Sequence, residues 1–161
     1  MPYMLEARED PKLALAAEML RGRGTVRLKA WGMSMLPSLW PGDLLTIQSA
    51  APDEVVPGDI VLVMQDNRFF VHRLVERQQA QDGISLITRG DAMPQNDPPA
   101  ATSQLLGRVA GIRRGYRSLV PNRRPSLLNS ALAWMLGRWG RFRSLSLRIH
   151  AARLQAGTSH P

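Results

Sequence analysis

The sequence predicts a mainly β protein: a small folded sheet or barrel, with a short helix before it and a basic helical appendage after it. Two observations carry that expectation. Between Thr25 and Arg113, short apolar stretches recur at close intervals, separated by Gly, Pro, Asn and Asp. The charge then divides along the chain: residues 1–97 hold 10 Lys and Arg beside all 13 acidic residues, whereas residues 98–161 hold 11 Arg and no acid. The net charge of +8 therefore belongs to the back of the chain, and the front reads as an ordinary domain. With 44% apolar and 21% charged residues in 161, a disordered chain is excluded, and there is room for one domain plus an appendage.

Taken in order, the first element is a helix from Pro11 to Arg21. Leu13, Ala16, Ala17 and Leu20 recur at helical spacing, Asp10 is a good N-cap, Pro11 suits the first turn, and Gly22 and Gly24 end it. It reads as a cap packed on the sheet rather than a recognition helix. Strands are expected at Thr25–Ala30, Leu44–Gln48, Ile60–Gln65, Arg68–Glu76, Ile84–Thr88 and Leu105–Arg113. The run Ile60–Gln65 is almost continuously apolar, so it should be buried on both faces. Asp66-Asn67 is a suitable turn between the third and fourth strands. Beyond Gly115 the strand pattern stops, Pro121 and Pro125 bracket a linker, and a helical tail follows. The expected units are an N-terminal helix over 1–23, a β domain over 24–115 and an Arg-rich linker and tail over 116–161.

The chain has no cysteine, which excludes disulfides, thiolate catalysis and sulfur-bound zinc. No cofactor or metal site is expected. Three segments place polar residues among turn residues beside apolar strands: Trp31 to Pro37, running on to Pro41-Gly42-Asp43; Val71-His72-Arg73-Leu74; and Arg89-Gly90-Asp91-Ala92, closing with Gln95-Asn96-Asp97. A serine hydroxyl becomes a nucleophile only when a neighbouring base removes its proton. Of the histidines, His150 lies in the Arg-rich tail and His160 is penultimate, which leaves His72 as the one inside the expected domain. Ser34 is the candidate nucleophile and His72 its base, with Asp91 or Asp97 to orient the imidazole. Gly32 allows a tight turn before Ser34, and a backbone N–H in that turn, at Ser34 or Met35, is the expected oxyanion donor. Asp43 and Asp59 read as turn residues.

In combination these segments resemble the signal peptidase I and LexA-like serine peptidases. Gly32-Met33-Ser34-Met35-Leu36-Pro37 with Pro41-Gly42-Asp43 is similar to the family's nucleophile box, and Pro57-Gly58-Asp59-Ile60-Val61 to the strand after it. His72 stands where the bacterial branch places a lysine, as in the branch of the endoplasmic reticulum and archaea. Lys12 and Lys29, the only lysines, both precede Ser34. Thr88-Arg89-Gly90-Asp91 with Asn96-Asp97 is similar to the Gly-Asp box, and Leu106-Gly107-Arg108-Val109 to the strand that completes the fold. The resemblance covers about residues 24–113. It implies a folded β-sheet of signal peptidase/LexA-like type and a serine endopeptidase acting on an extended peptide or precursor protein. Ser34 is then nucleophile, His72 base and Asp91 the orienting acid, with Asp97 structural or catalytic. Gly32 replaces a serine that relatives often use to hold the oxyanion, so the hole rests on backbone N–H groups. The alternatives are a self-cleaving LexA-like regulatory module and an inactive scaffold docked by its tail.

The tail sets Trp134, Trp139 and Phe142 among Arg138, Arg141, Arg143, Arg148 and Arg153, and Leu128, Leu132, Met135, Leu136 and Trp139 can share one helical face. That composition suits an anionic membrane surface, lying in its plane, and nucleic acid is the weaker expectation; packing back onto the β domain is the bland alternative. Glu6, Glu9 and Asp10 stand where a leader would be positive, and no apolar run reaches the roughly 18 residues of a spanning helix. A peripheral membrane or cytoplasmic location is expected, without choosing between them.

Overall fold

The computed structural model describes residues 11–80 and 83–124. Helix α1 (Pro11–Arg21) is followed by strands β1 (Thr25–Lys29), β2 (Leu44–Gln48), β3 (Ile60–Gln65), β4 (Arg68–Ala80), β5 (Gly83–Arg89), β6 (Ala100–Ala101), a single 3-10 turn at Thr102–Gln104, β7 (Leu105–Arg114) and β8 (Arg117–Leu119). The strands form one antiparallel sheet in the order β1-β2-β7-β3-β4-β5-β6, with β8 paired to β7. The sheet stays open, with β1 and β6 at its edges.

Strand β3 sits at the centre and shows why a near-continuous apolar run was needed. Ile60 and Leu62 face one apolar cluster with Leu45, Ile47, Phe69 and Leu106, while Val61 and Val63 face a second with Val55, Leu74 and Leu86. Helix α1 closes the first cluster through Ala16, Ala17 and Leu20. Leu20 is fully buried, worth about 1.5–3 kcal/mol relative to exposure. The helix ends where expected, but Arg23 rather than a glycine takes the left-handed conformation (φ 62°). Gly24 is needed next because a Cβ there would lie 2.7 Å from the Met19 carbonyl.

The β3–β4 hairpin turns through Asp66 and Asn67, both at positive φ, the pair of angles that a two-residue turn requires. Three features depart from the sequence pattern. Strand β4 continues to Ala80 through the exposed residues Arg77, Gln78 and Gln79, held by pairing with β5 and not by burial. The two-residue β6 pairs with β5 through Ala100 and Ala101. Strand β8 lies beyond the point where strands were expected to stop: its three residues are all exposed, so no apolar alternation marks it. The expected helical tail, and the leader region before Pro11, fall outside the described residues. Among the described residues, no helix is long and apolar enough to cross a membrane.

Two turn aspartates hold the last described segment, residues 114–123, to the sheet. The Asp43 carboxylate accepts the Trp40 N–H at 2.8 Å and a forked pair of bonds from Arg114 at 2.9 and 2.7 Å. Asp59 does the same work one turn later, accepting from Val56 N–H at 3.1 Å and from Arg123 Nε at 2.6 Å. Both are turn residues, as expected, and each is also an anchor for an arginine late in the described residues, Arg114 or Arg123.

Candidate active site

Ser34 lies in a turn of the loop between β1 and β2, entered through Gly32 at φ 84°, a conformation only glycine adopts freely. The loop is pinned from below: Leu36 is fully buried beside Ala92, Met33 and Trp40, and the Leu36–Pro37 peptide is cis. His72 comes from β4, opposite Val61 of β3, and is almost wholly buried. A strand at the centre of the sheet fixes its ring better than a loop would.

The imidazole bridges two groups. Its Nε2 is 2.8 Å from Ser34 Oγ, and its Nδ1 is 2.6 Å from Asp97 Oδ2. An ionised carboxylate only accepts hydrogen bonds, so Nδ1–H donates to Asp97 and the Nε2 lone pair faces the serine hydroxyl. That tautomer is the one a base needs to take the serine proton. Phe70 packs at a tilt to the ring, 6.3 Å between centroids.

Asp97 is itself positioned. Thr88 Oγ1 donates to the same Asp97 Oδ2 at 2.7 Å, and Asp97 N–H donates to the Thr88 carbonyl at 2.8 Å. The Thr88 hydroxyl was not singled out from the sequence; its only signal was its place at the head of the Arg89-Gly90-Asp91 segment. It is fully buried, so Thr88→Val keeps shape and leaves the Asp97 side chain held by His72 alone. We expect Thr88→Val to lower turnover about 10-fold, with about 1 kcal/mol lost in denaturant unfolding.

Asp91 does not take the part expected of it. Its carboxylate accepts a forked pair of bonds from Arg73, Nε to Oδ1 and Nη2 to Oδ2, both at 2.7 Å, and a third from Ser38 Oγ. The physical reason is the strand's alternation: Arg73 follows His72, so the two side chains leave β4 on opposite faces, and Asp91 meets the guanidinium face. Arg73 is buried and also donates through Nη1 to the carbonyls of Gly58 at 2.7 Å and Asn122 at 2.8 Å. One guanidinium therefore ties together the serine loop, the Gly-Asp segment, the turn before β3 and the end of the described chain. Neither Arg73 nor Ser38 was legible as a site residue, because each depends on contacts 18 to 53 positions away in sequence.

The same Gly-Asp segment presses on the serine from the other side. Ala92 N–H donates to the Ser34 carbonyl at 2.8 Å, and a Cβ on Gly90 would stand 2.6 Å from that oxygen and 3.0 Å from Ser34 Cβ. We expect Gly90→Ala to displace Ser34 from His72, with a loss of about 1–3 kcal/mol in unfolding free energy and a fall in turnover of at least 10-fold. Among the described residues, the Ser34 and Met35 N–H groups have no backbone acceptor, as donors to a developing oxyanion require. A cavity of about 50 Å³ opens beside Ser34 and His72, lined by Leu28, Ala30, Met35, Phe69 and Val71. No group of three or more potential ligands clusters to hold a metal ion among the described residues.

No curated protein matches the chain. A family model described as Peptidase S24-like matches residues 2–110, well over half of the 161 residues, and takes in all three segments that meet around His72. The chain belongs to the Peptidase S24-like family, within the superfamily of LexA-like and signal peptidases.

Proposed function

We propose that the protein is a serine endopeptidase of the signal-peptidase type, cutting an extended peptide or precursor protein in trans. The hydrogen-bonded line Ser34–His72–Asp97, at 2.8 and 2.6 Å, is the observation that carries this reading. Ser34 Oγ attacks the scissile carbonyl as its proton passes to His72 Nε2. Asp97 holds the resulting imidazolium, and the oxyanion takes the Ser34 and Met35 N–H groups. The tetrahedral intermediate collapses when His72 returns the proton to the departing amine, leaving an ester on Ser34. Water, deprotonated by His72, then hydrolyses the ester. A water needs roughly 10–15 Å³ of cavity, so the 50 Å³ beside Ser34 suits a small side chain next to the scissile bond. The arginines of the tail would hold the enzyme at an anionic membrane surface.

The test is to incubate the full chain with precursor proteins and sequence the new N-termini. New ends that vanish in Ser34→Ala support the reading, and none at all counts against it. Intact mass of the enzyme alone separates the self-cleaving alternative: fragments forming at a rate independent of protein concentration would identify cleavage in cis.

A further inference from the structure

The loop that carries Ser34 leaves the sheet from its edge strand, β1. Among the described residues, β1 pairs with β2 on one side and nothing on the other. The bonds at its two ends fix its phase. Ser49 N–H donates to Gly24 at 3.1 Å and Ala30 N–H to Asp43 at 2.7 Å, so the even-numbered residues turn their backbone groups toward β2. An antiparallel ladder alternates, so Thr25, Arg27 and Lys29 turn theirs to the open edge.

The side chains follow the same alternation. Thr25, Arg27 and Lys29 are exposed on one face, while Val26 and Leu28 face the core and Leu28 lines the cavity beside Ser34. On the exposed face, Lys29 Nζ lies 5.1 Å from the Trp31 ring centroid. Across the sheet, Lys29 opposes Leu44, which opposes Arg113, so a third cation shares the face. β1, β2, β7 and β8 contain no acidic residue.

We infer that β1 receives an extended peptide carrying acidic side chains at alternate positions, paired with Arg27 and Lys29. This rests on the reading of Ser34 as a peptidase nucleophile. A strand added to this edge exchanges main-chain bonds with Thr25, Arg27 and Lys29. Residues directly opposite Arg27 and Lys29 then lie on the cationic face, with Cβ atoms about 4.5–5.5 Å apart. The intervening residues fall on the Leu28 face, where the cavity accepts small apolar groups. The favoured substrate alternates acidic and small residues.

The probe is a set of fluorescein-labelled dodecapeptides read by polarisation against full-length Ser34→Ala protein: alternating Glu-Ala, alternating Gln-Ala, alternating Lys-Ala, and a peptide with Glu clustered in pairs at the same composition. Exposed ion pairs each contribute about 1.4- to 5-fold, so two should make the alternating Glu peptide bind about 2- to 30-fold tighter than the Gln peptide. The clustered peptide should bind more weakly than the alternating one. Arg27→Gln/Lys29→Gln should remove the preference and Arg27→Glu/Lys29→Glu should transfer it to the Lys peptide. Equal binding of Glu and Gln peptides, equal binding of clustered and alternating Glu, or a preference that survives the double variants would overturn the inference. The active chain separates the two readings. Cleavage without charge preference removes the edge specificity and keeps the peptidase; charge-selective binding with no precursor or peptide ever cut does the reverse.

Discussion

Ser34→Ala is expected to lower peptide-bond cleavage about 10⁴- to 10⁶-fold while the protein unfolds at nearly the same denaturant concentration as the parent. Among the described residues the hydroxyl makes one bond, to His72 Nε2, and its loss leaves an imidazole still held by Asp97, so stability should change by about 1 kcal/mol or less. His72→Ala should remove the same activity, because an unassisted hydroxyl is a poor nucleophile at neutral pH. Combining the two substitutions should be no worse than either alone, since serine and base act as one unit. Product formation timed by mass spectrometry checks each point. Full activity in either single variant would end the assignment, and a double variant much slower than both singles would show that the two side chains work independently.

The second large effect sets the two candidate aspartates apart. Asp97→Asn should reduce turnover about 10⁴-fold with little change in stability, because an amide beside Nδ1 no longer holds the tautomer that leaves Nε2 free. Asp91→Asn should do the opposite. It strips the charge partner from Arg73, a residue only 8% exposed, and removing one member of such a pair loses about 3–5 kcal/mol. Urea unfolding and steady-state kinetics on both variants give a crossed pattern: rate without stability for Asp97, stability before rate for Asp91. If Asp91→Asn silenced an enzyme of undiminished stability, the orienting role would return to Asp91.

How much of this was legible in the sequence follows from the range of each signal. Strands β1, β2 and β3, with the Asp66-Asn67 turn, were readable because alternation, apolar runs and turn chemistry act over fewer than about ten residues. Strand β8 was not: Arg117, Ser118 and Leu119 are exposed, and their pairing to Ile112–Arg114 is set by the hairpin alone. Ser34 and His72 could be chosen because the pool of histidines was small and the segments matched a known pattern. The choice between Asp91 and Asp97 could not be made that way. It is decided by which face of β4 each carboxylate reaches, and that depends on a chain reversal between Gly90 and Asp97 that brings Asp97 N–H onto Thr88. Ser38 and Arg73 stayed hidden for the same reason, as their side-chain partners lie 18 to 53 positions away.

The hold that Arg73 keeps on the Gly58 and Asn122 carbonyls, reinforced by Arg123 on Asp59, bears on where the protein can be shortened. A gene cut after Gly115, where the strand pattern fades, would discard β8, the Asn122 carbonyl and Arg123, and leave the Arg73 guanidinium with its bonds to Asp91, Gly58 and Ser38 alone. A shortened version that keeps these bonds must therefore run at least through Arg123.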